Sequence, residues 1–192
     1  RIDGRWPGGI ARVRFGEPNG PSVIRNGLDW LLASAAGHDV PLHEFHEDAH
    51  GKLGPHYRGA LDPAQAKDAL RVLLELRASG LRQPLAFGPR SGWKYYNAKP
   101  GRRVEAARQQ WQGGERQWGE GTDPAYVQAL RGRDPFTDRA AQREFAVNAI
   151  ADFSAVASGI AVAPPLDEDE IETATLGRDD DETVGAGRRR KN

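Results

Sequence analysis

Histidine and acidic side chains are concentrated in one short stretch of the chain. Imidazole and carboxylate groups could bind zinc together if they converged on one point. A strand over residues 40–46 would instead place His43 and His46 on opposite faces, and Pro41 disfavours the helix that would bring them together. We therefore predict a polar, exposed hairpin here rather than a metal site. The stretch contains His38, His43, Glu44, His46, Glu47, Asp48, His50 and His56.

A second group of residues mixes cations with aromatic rings. Such a mixture can hold single-stranded nucleic acid by pairing with phosphates and stacking on bases. In the alternative interpretation, Trp93 and Tyr96 pack in the core while the cations stay in water, and the usual burial of large aromatics favours it. The group comprises Arg90, Trp93, Lys94, Tyr95, Tyr96, Lys99, Arg102 and Arg103.

The opening segment RIDGRWPGGIARVRFG is typical of a strand, a tight turn and a second strand. Metal-dependent nucleases often place acids on such a unit, yet here Asp3 precedes a second strand that carries Arg12 and Arg14. We predict no catalytic and no metal-binding residue in this chain. The candidate contacts to DNA or to a partner protein are Arg12, Arg14, Arg90, Trp93, Lys94, Arg102 and Arg103.

Several functional classes lack their sequence signatures. The segment GPRSGWK does not have the spacing of a phosphate-binding P-loop, and neither G-x-G-x-x-G nor G-x-S-x-G occurs in a suitable context. The chain has no cysteine, which excludes disulfides, thiolate metal sites and a cysteine nucleophile. No apolar run is long enough to span a membrane, so we expect a soluble, cytoplasmic protein with no membrane partner.

Periodic apolar residues predict the elements that position these side chains. The first helix has apolar residues at 24, 28, 31, 32 and 35, with Asn19 or Ser22 as its cap and Gly37 as its stop. Extended segments at 40–46 and 52–58 are edge strands at best, because each has a proline in or beside it. A second helix begins at Asp62-Pro63 and ends at Gly80.

The second half of the chain predicts more helix than strand. A short strand at 85–87 leads into a Gly-Pro loop that bears the aromatics, and a helix containing Trp111 then ends at Gly113. A further helix begins at Asp123-Pro124 and stops at Gly132. The last helix, over about 146–157, is predicted to be amphipathic. The architecture is α/β, with few strands and about five helices.

The end of the chain differs in composition from the rest. Residues 165–192 contain nine acids and five bases, a net charge of −4, and no aromatic residue. Because the whole chain has 27 bases and 27 acids, residues 1–164 carry +4. We expect a folded domain over residues 1–163 and a disordered charged tail over 164–192.

The order of motifs in residues 1 to about 160 resembles one known family. That family is the C-terminal domain of the gamma subunit of exodeoxyribonuclease V, RecC of the RecBCD helicase–nuclease. None of the motifs is specific alone, but five in the same order are, and the tail beyond Pro164 matches no part of the pattern. The motifs are IDGRWPGGIARVRFG, LDWLLASAAG, PLAFGPRSGWKYY, ARQQWQGG and GEGTDPAYVQALRG.

The resemblance implies a PD-(D/E)XK nuclease-like, restriction-endonuclease-like core whose catalytic site is degenerate. An active site of that class needs an acid on one strand and acid-x-Lys on the next to bind Mg²⁺. Asp3 would take the first position, but Arg12-Val13-Arg14 stand where the acid and lysine belong. Two cations at about 4 Å from a metal ion would oppose its charge by several kcal/mol.

The resemblance also implies partners and a role. The partners would be the beta and alpha subunits of exodeoxyribonuclease V and both double-stranded and single-stranded DNA, in double-strand break repair and homologous recombination. Mg²⁺ and ATP would be used by the partner subunits, with no cofactor bound by this segment. The first hypothesis is a non-catalytic scaffold that guides DNA.

Two alternatives to that hypothesis remain open. One is an active Mg²⁺-dependent nuclease whose second acid is, for example, Glu17 or Glu44. The other is a protein-interaction domain that never touches DNA.

Overall fold

The computed structural model describes residues 3–48, 50–115 and 118–162. In these residues four strands form one sheet in the order β1-β2-β3-β4, and helices cover one side of it. β1 and β2 are antiparallel, β2 and β3 parallel, and β3 and β4 antiparallel. A parallel pair needs a crossover, which the first helix supplies. The strands are β1 (Arg5–Trp6), β2 (Gly9–Val13), β3 (Leu42–Glu47) and β4 (Leu53–Arg58).

The α/β class is confirmed, with six α-helices in the described residues where about five were expected. The described part also includes a single turn of 3-10 helix at Glu120–Thr122. The helices are α1 (Gly20–Ala35), α2 (Pro63–Arg82), α3 (Pro89–Asn97), α4 (Arg103–Gln112), α5 (Pro124–Leu130) and α6 (Arg139–Ser158).

The first helix begins as its sequence predicts. Asn19 and Ser22 form a reciprocal capping box, so both candidate caps take part. The helix ends at Ala35, and Gly37 follows with a φ of 80°. Within α1, Gly27 lies against α6 so closely that a Cβ there would be 2.0 Å from the Val156 carbonyl oxygen. The two helices can therefore cross only where a side chain is missing.

The last helix, α6, is the centre of the helical layer. It packs against α1, α2 and α3, and all its residues from 148 to 156 are buried. The prediction of an amphipathic helix is wrong here, because neighbours on several sides leave no broad solvent face. Asp138 caps its start and Gly159, with a φ of 67°, ends it.

Two predictions about the hairpin and α2 are also wrong. β3 is an interior strand between β2 and β4, which is possible because Pro41 precedes its first residue, whereas β4, with Pro55, is an edge strand as predicted. Helix α2 begins at Asp62-Pro63 as predicted but continues past Gly80 to Arg82. A glycine within a helix lowers its stability without ending it.

The predicted strand at 85–87 and the loop after it are absent. Residues 84–88 connect two helices, and Pro89 is the first residue of α3, with Gly88 as its N-cap. Helix α4 ends at Gly113 as predicted, and α5 begins at Asp123-Pro124. It ends at Leu130, two residues before Gly132, because Arg131 adopts the left-handed conformation with a φ of 50°. The predicted tail lies outside the described residues.

Candidate DNA and partner interface

Arg12, the first candidate contact, is part of an ion pair between sheet and helix. Its Nη2 lies 2.5 Å from Asp29 Oδ2 on α1, and its Nη1 donates to the backbone carbonyl of Asp3. The Arg12 and Asp29 side chains are only 18% and 26% exposed. Arg12 therefore fixes β2 and the segment before β1 to α1, and its charge is already neutralised within the chain.

A second ion pair lies beside it on the same side of the sheet. Arg58 Nη2 donates to Glu44 Oε2 at 2.6 Å, and Asn26 Nδ2 donates to the other carboxylate oxygen at 2.8 Å. Arg58 also donates to the carbonyls of Val156 and Ala157 at the end of α6, and its guanidinium stands 5.0 Å from the Trp30 ring centre. Cations are favoured at that end of a helix.

The two acids proposed as substitutes for a missing metal ligand have different surroundings. Both Glu44 oxygens are used by Arg58 and Asn26. The Glu17 backbone carbonyl accepts from Arg14 Nε at 2.7 Å, which orders the turn after β2. No three His, Cys, Asp or Glu side chains come together where they could hold a metal ion in the part of the chain that the structure describes.

The opposite side of the sheet, which we call the open sheet face, is apolar. It carries Trp6, Val13, Phe45, Leu53 and Tyr57, which are 40–73% exposed. The predicted hairpin is present, but its exposed face is mainly apolar rather than polar. Glu44 and Arg58 face the helices together with the buried Leu42, while Phe45 and Tyr57 face outward. Side chains alternate between the two faces of a strand, so Leu53 and Tyr57 of β4 had to share one face, and that was the signal that sequence reasoning missed.

His43 and His46 do point to opposite faces, as the strand prediction requires. His43 lies on the open sheet face between Trp6 and Tyr57, with ring centres 5.1 Å from each. His46 stacks on His56 on the helix side at 3.9 Å. These three histidines are thus divided between an aromatic cluster on the open sheet face and a stacked pair on the helix side.

The aromatic residues of α3 pack as the packing alternative predicts. Trp93 Nε1 donates to the Pro18 carbonyl at 3.2 Å, and its ring lies 5.9 Å from Tyr96 and 5.2 Å from Phe153. Tyr96 is only 4% exposed. Trp93 therefore joins α3 to the core and lies in a helix rather than in the predicted loop.

The cations of the same group divide into buried and exposed. Arg103 is buried, with its guanidinium 6.0 Å from the Tyr95 ring centre and its Nε donating to the Ala98 carbonyl. Arg90, Lys94 and Arg102 are exposed. Arg90 and Lys94 lie four residues apart on α3 and therefore share one face.

The N-terminus of α3 is filled by a carboxylate of the chain itself. Glu120, 2% exposed, accepts hydrogen bonds from the backbone N–H groups of Arg90 and Ser91 at 2.9 and 2.7 Å, and from Ser91 Oγ at 2.7 Å. A negative charge is stabilised at this end of a helix. A Cβ at Gly88 would lie 2.4 Å from Glu120 Oε2, which explains the glycine.

This contact joins two of the motifs noted in the sequence, GPRSG and GEGTD. A third motif, ARQQW, is joined to them because a Cβ at Gly121 would lie 2.4 Å from Trp111 Nε1. These motifs build a clasp between α3, α4 and the 3-10 turn. Their spacing is explained by packing rather than by chemistry on a substrate.

None of the helices in the described ranges is long and apolar enough to cross a membrane.

No curated protein matches the chain. A family model, that of the RecC C-terminal domain, matches residues 1–100, which cover the sheet and helices α1 to α3. The match covers just over half of the 192 residues. The chain belongs to the RecC C-terminal domain family.

Proposed function

We propose that this chain is a non-catalytic scaffold and DNA-guiding domain of an ATP-dependent helicase–exonuclease complex. Membership of the RecC family relates it to the RecBCD complex and to DNA repair. Within that complex its role would be contact with DNA and with the beta and alpha subunits, in double-strand break repair and homologous recombination. Mg²⁺ and ATP would be used by those partners.

The Arg12–Asp29 ion pair is the observation that carries the non-catalytic part of the proposal. If the sheet is a degenerate PD-(D/E)XK core, Arg12 stands where a metal-binding acid would be required, and it is held there by Asp29 at 2.5 Å. A half-buried cation in a strand position repels a divalent metal ion. The strand pair serves to fasten sheet to helix instead.

The exposed cations of α3 and α4 support the DNA-guiding part. Arg90, Lys94 and Arg102 are exposed, so their charges can meet phosphates without breaking an internal ion pair that holds the fold. The test is binding of the full chain to forked DNA across a range of salt concentrations. Replacing Arg90 and Lys94 with Gln should weaken binding and reduce the salt slope by about two, since each phosphate contact contributes about 0.9.

A matched control removes the same charge elsewhere. Lys67 and Arg71 are exposed and lie four residues apart on α2. Among the described residues, Arg71 forms an ion pair only with the exposed Asp68. Their replacement with Gln should leave the slope unchanged if binding is local to α3. If both double variants lost DNA affinity equally, a DNA site on α3 would be contradicted. Mg²⁺-dependent cutting of the forked DNA would support the nuclease alternative.

The open sheet face favours the second candidate, a domain that contacts only protein. Its exposed apolar side chains, among them Trp6, Phe45 and Tyr57, are characteristic of protein contact surfaces. The same titration separates the two candidates. Absence of DNA binding at every salt concentration would favour this second function.

A further inference from the structure

A groove lined by leucine side chains runs between α1 and α2. We call it the leucine groove; its volume is about 580 Å³, and α1 contributes Ile24, Leu28 and Leu32 to one wall. Its rim is apolar and open to water: Leu28, Leu32 and Leu74 are 36%, 47% and 63% exposed. A contiguous exposed apolar groove of this kind is a candidate binding site for another molecule.

A buried carboxyl group lies at the floor of the groove. Asp152 of α6 lines it and is only 5% exposed. Its Oδ2 has no hydrogen-bond partner among the described residues. Burial raises the pKa of Asp152 to about 7. A buried acceptor without a donor costs free energy, and an incoming cationic donor would remove that cost.

The shape of the groove fits a helix better than a small molecule. Ile24, Leu28 and Leu32 are spaced one turn apart, so the α1 wall is about 12 Å long, or roughly two helical turns. Two neighbouring helices with leucines along facing sides provide the ridges and grooves into which a third helix packs. The exposed rim would become buried only under an occupant that extends beyond the cavity.

The charges in the groove define the occupant further. Arg77 of α2 also lines the groove, so the leucine walls have a negative group at the floor and a positive group beside it. An occupant with a cation directed inward would complement Asp152, and an acid near Arg77 would complement the second charge.

We propose that the leucine groove receives an amphipathic helix of a partner subunit, with leucine-type side chains and one lysine or arginine whose cationic head reaches Asp152. This inference rests on the proposed function, because it takes the occupant from the same complex. It adds the position of the contact and the chemistry by which the partner is recognised.

The experiment measures the affinity of the full chain for the purified beta and alpha subunits of exodeoxyribonuclease V, one at a time. Leu74→Gln on the rim should weaken binding to one subunit by tenfold or more. Leu81→Gln is the matched control, since Leu81 lies on the same helix, is 71% exposed and does not line the groove. It should leave the affinity unchanged.

The carboxylate is tested by Asp152→Asn, which keeps the shape and removes the charge. Hydrogen bonds to charged groups contribute enough that the loss should be about tenfold or more at pH 8. Unchanged binding by this variant would overturn the inferred cation and show that Asp152 is satisfied within the chain.

The remaining outcomes separate the two proposals. Binding that Leu74→Gln leaves intact would overturn the groove as the contact while leaving the scaffold function in place. No binding of the wild-type chain to either subunit would overturn both the partner role and the occupant. Self-association of the wild-type chain that Leu74→Gln abolishes would identify a second copy as the occupant and overturn the proposal.

Discussion

Arg12 and Arg58 show how cations can be used inside a fold. Arg12 joins β2 to α1 through Asp29, and Arg58 joins β4 to the end of α6 while neutralising Glu44. Each guanidinium has several donors in a fixed plane, so one side chain can satisfy a carboxylate and backbone carbonyls together. These residues hold the sheet against the helices.

Asp152 makes the stability of the chain depend on pH. Burial raises its pKa from 3.8 to about 7, so the folded chain binds this proton more tightly than the unfolded chain does. Raising the pH from about 4 to about 7 therefore lowers the free energy of unfolding by about 4 kcal/mol, because a difference of one in pKa corresponds to about 1.36 kcal/mol. At pH values above the pKa of Asp152 in the folded chain, its contribution to the free energy of unfolding no longer changes.

The measurement is chemical denaturation of the wild type and Asp152→Asn at several pH values. The variant should lack this part of the pH dependence, and its advantage over the wild type should grow as the pH rises through that window. Other carboxyl groups titrate equally in both proteins, so the difference isolates Asp152. A difference that is constant with pH would contradict the raised pKa.

At the scale of elements, helices meet where side chains are absent or where a polar group replaces one. Gly27 allows α1 to cross α6, and Gly88 leaves room for Glu120 at the start of α3. The short helix α3 has no side-chain cap of its own at Gly88. Its first turn is stabilised instead by a carboxylate thirty residues away in sequence.

We therefore expect Glu120→Ala to destabilise the chain by about 3 kcal/mol. The change removes the charge at the helix N-terminus and leaves buried donors of Ser91 without an acceptor, losses of about 1–3 kcal/mol each. Thermal and denaturant unfolding measure the effect. Glu75→Ala on the exposed side of α2 is the control and should change stability by less than about 0.5 kcal/mol. Similar losses of stability from Glu120→Ala and Glu75→Ala would show that the contacts of Glu120 do not stabilise the fold.

At the scale of the whole molecule, one continuous core joins the sheet to the helices. Ile10 and Leu42 bring the sheet into it, Phe145 and Phe153 of α6 lie at its centre, and Trp111 extends it towards α5. Trp111 is 5% exposed and contacts Tyr126 and Phe136 edge to face. The α4–α5 region thus depends on the same core.

Trp111→Ala should reduce the free energy of unfolding by about 3–5 kcal/mol, because it empties a large buried site. A domain of this size has only roughly 5–15 kcal/mol to lose, so the variant should be close to unfolded at moderate temperature. Circular dichroism during heating measures this. Trp118→Ala is the matched control, since Trp118 is 53% exposed, and a comparable loss from it would contradict the packing of Trp111.

The sequence by itself determined the local elements with clear signals. It predicted a cap at Asn19 or Ser22, the Asp-Pro starts of α2 and α5, the stop at Gly113 and the burial of Trp111. Each depends on residues within a few positions of one another, and the short-range geometry of a helix converts such spacings directly into hydrogen bonds or a buried stripe.

The tertiary structure alone decided which faces are covered. Strand geometry gives β3 and β4 two faces but does not show which one meets the helices, so the open sheet face was missed. The burial of α6 depends on three helices distant in sequence, and the pairing of Glu120 with α3 depends on a chain reversal between them. Burial and charge pairing are properties of neighbours in space, and sequence spacing does not define those neighbours.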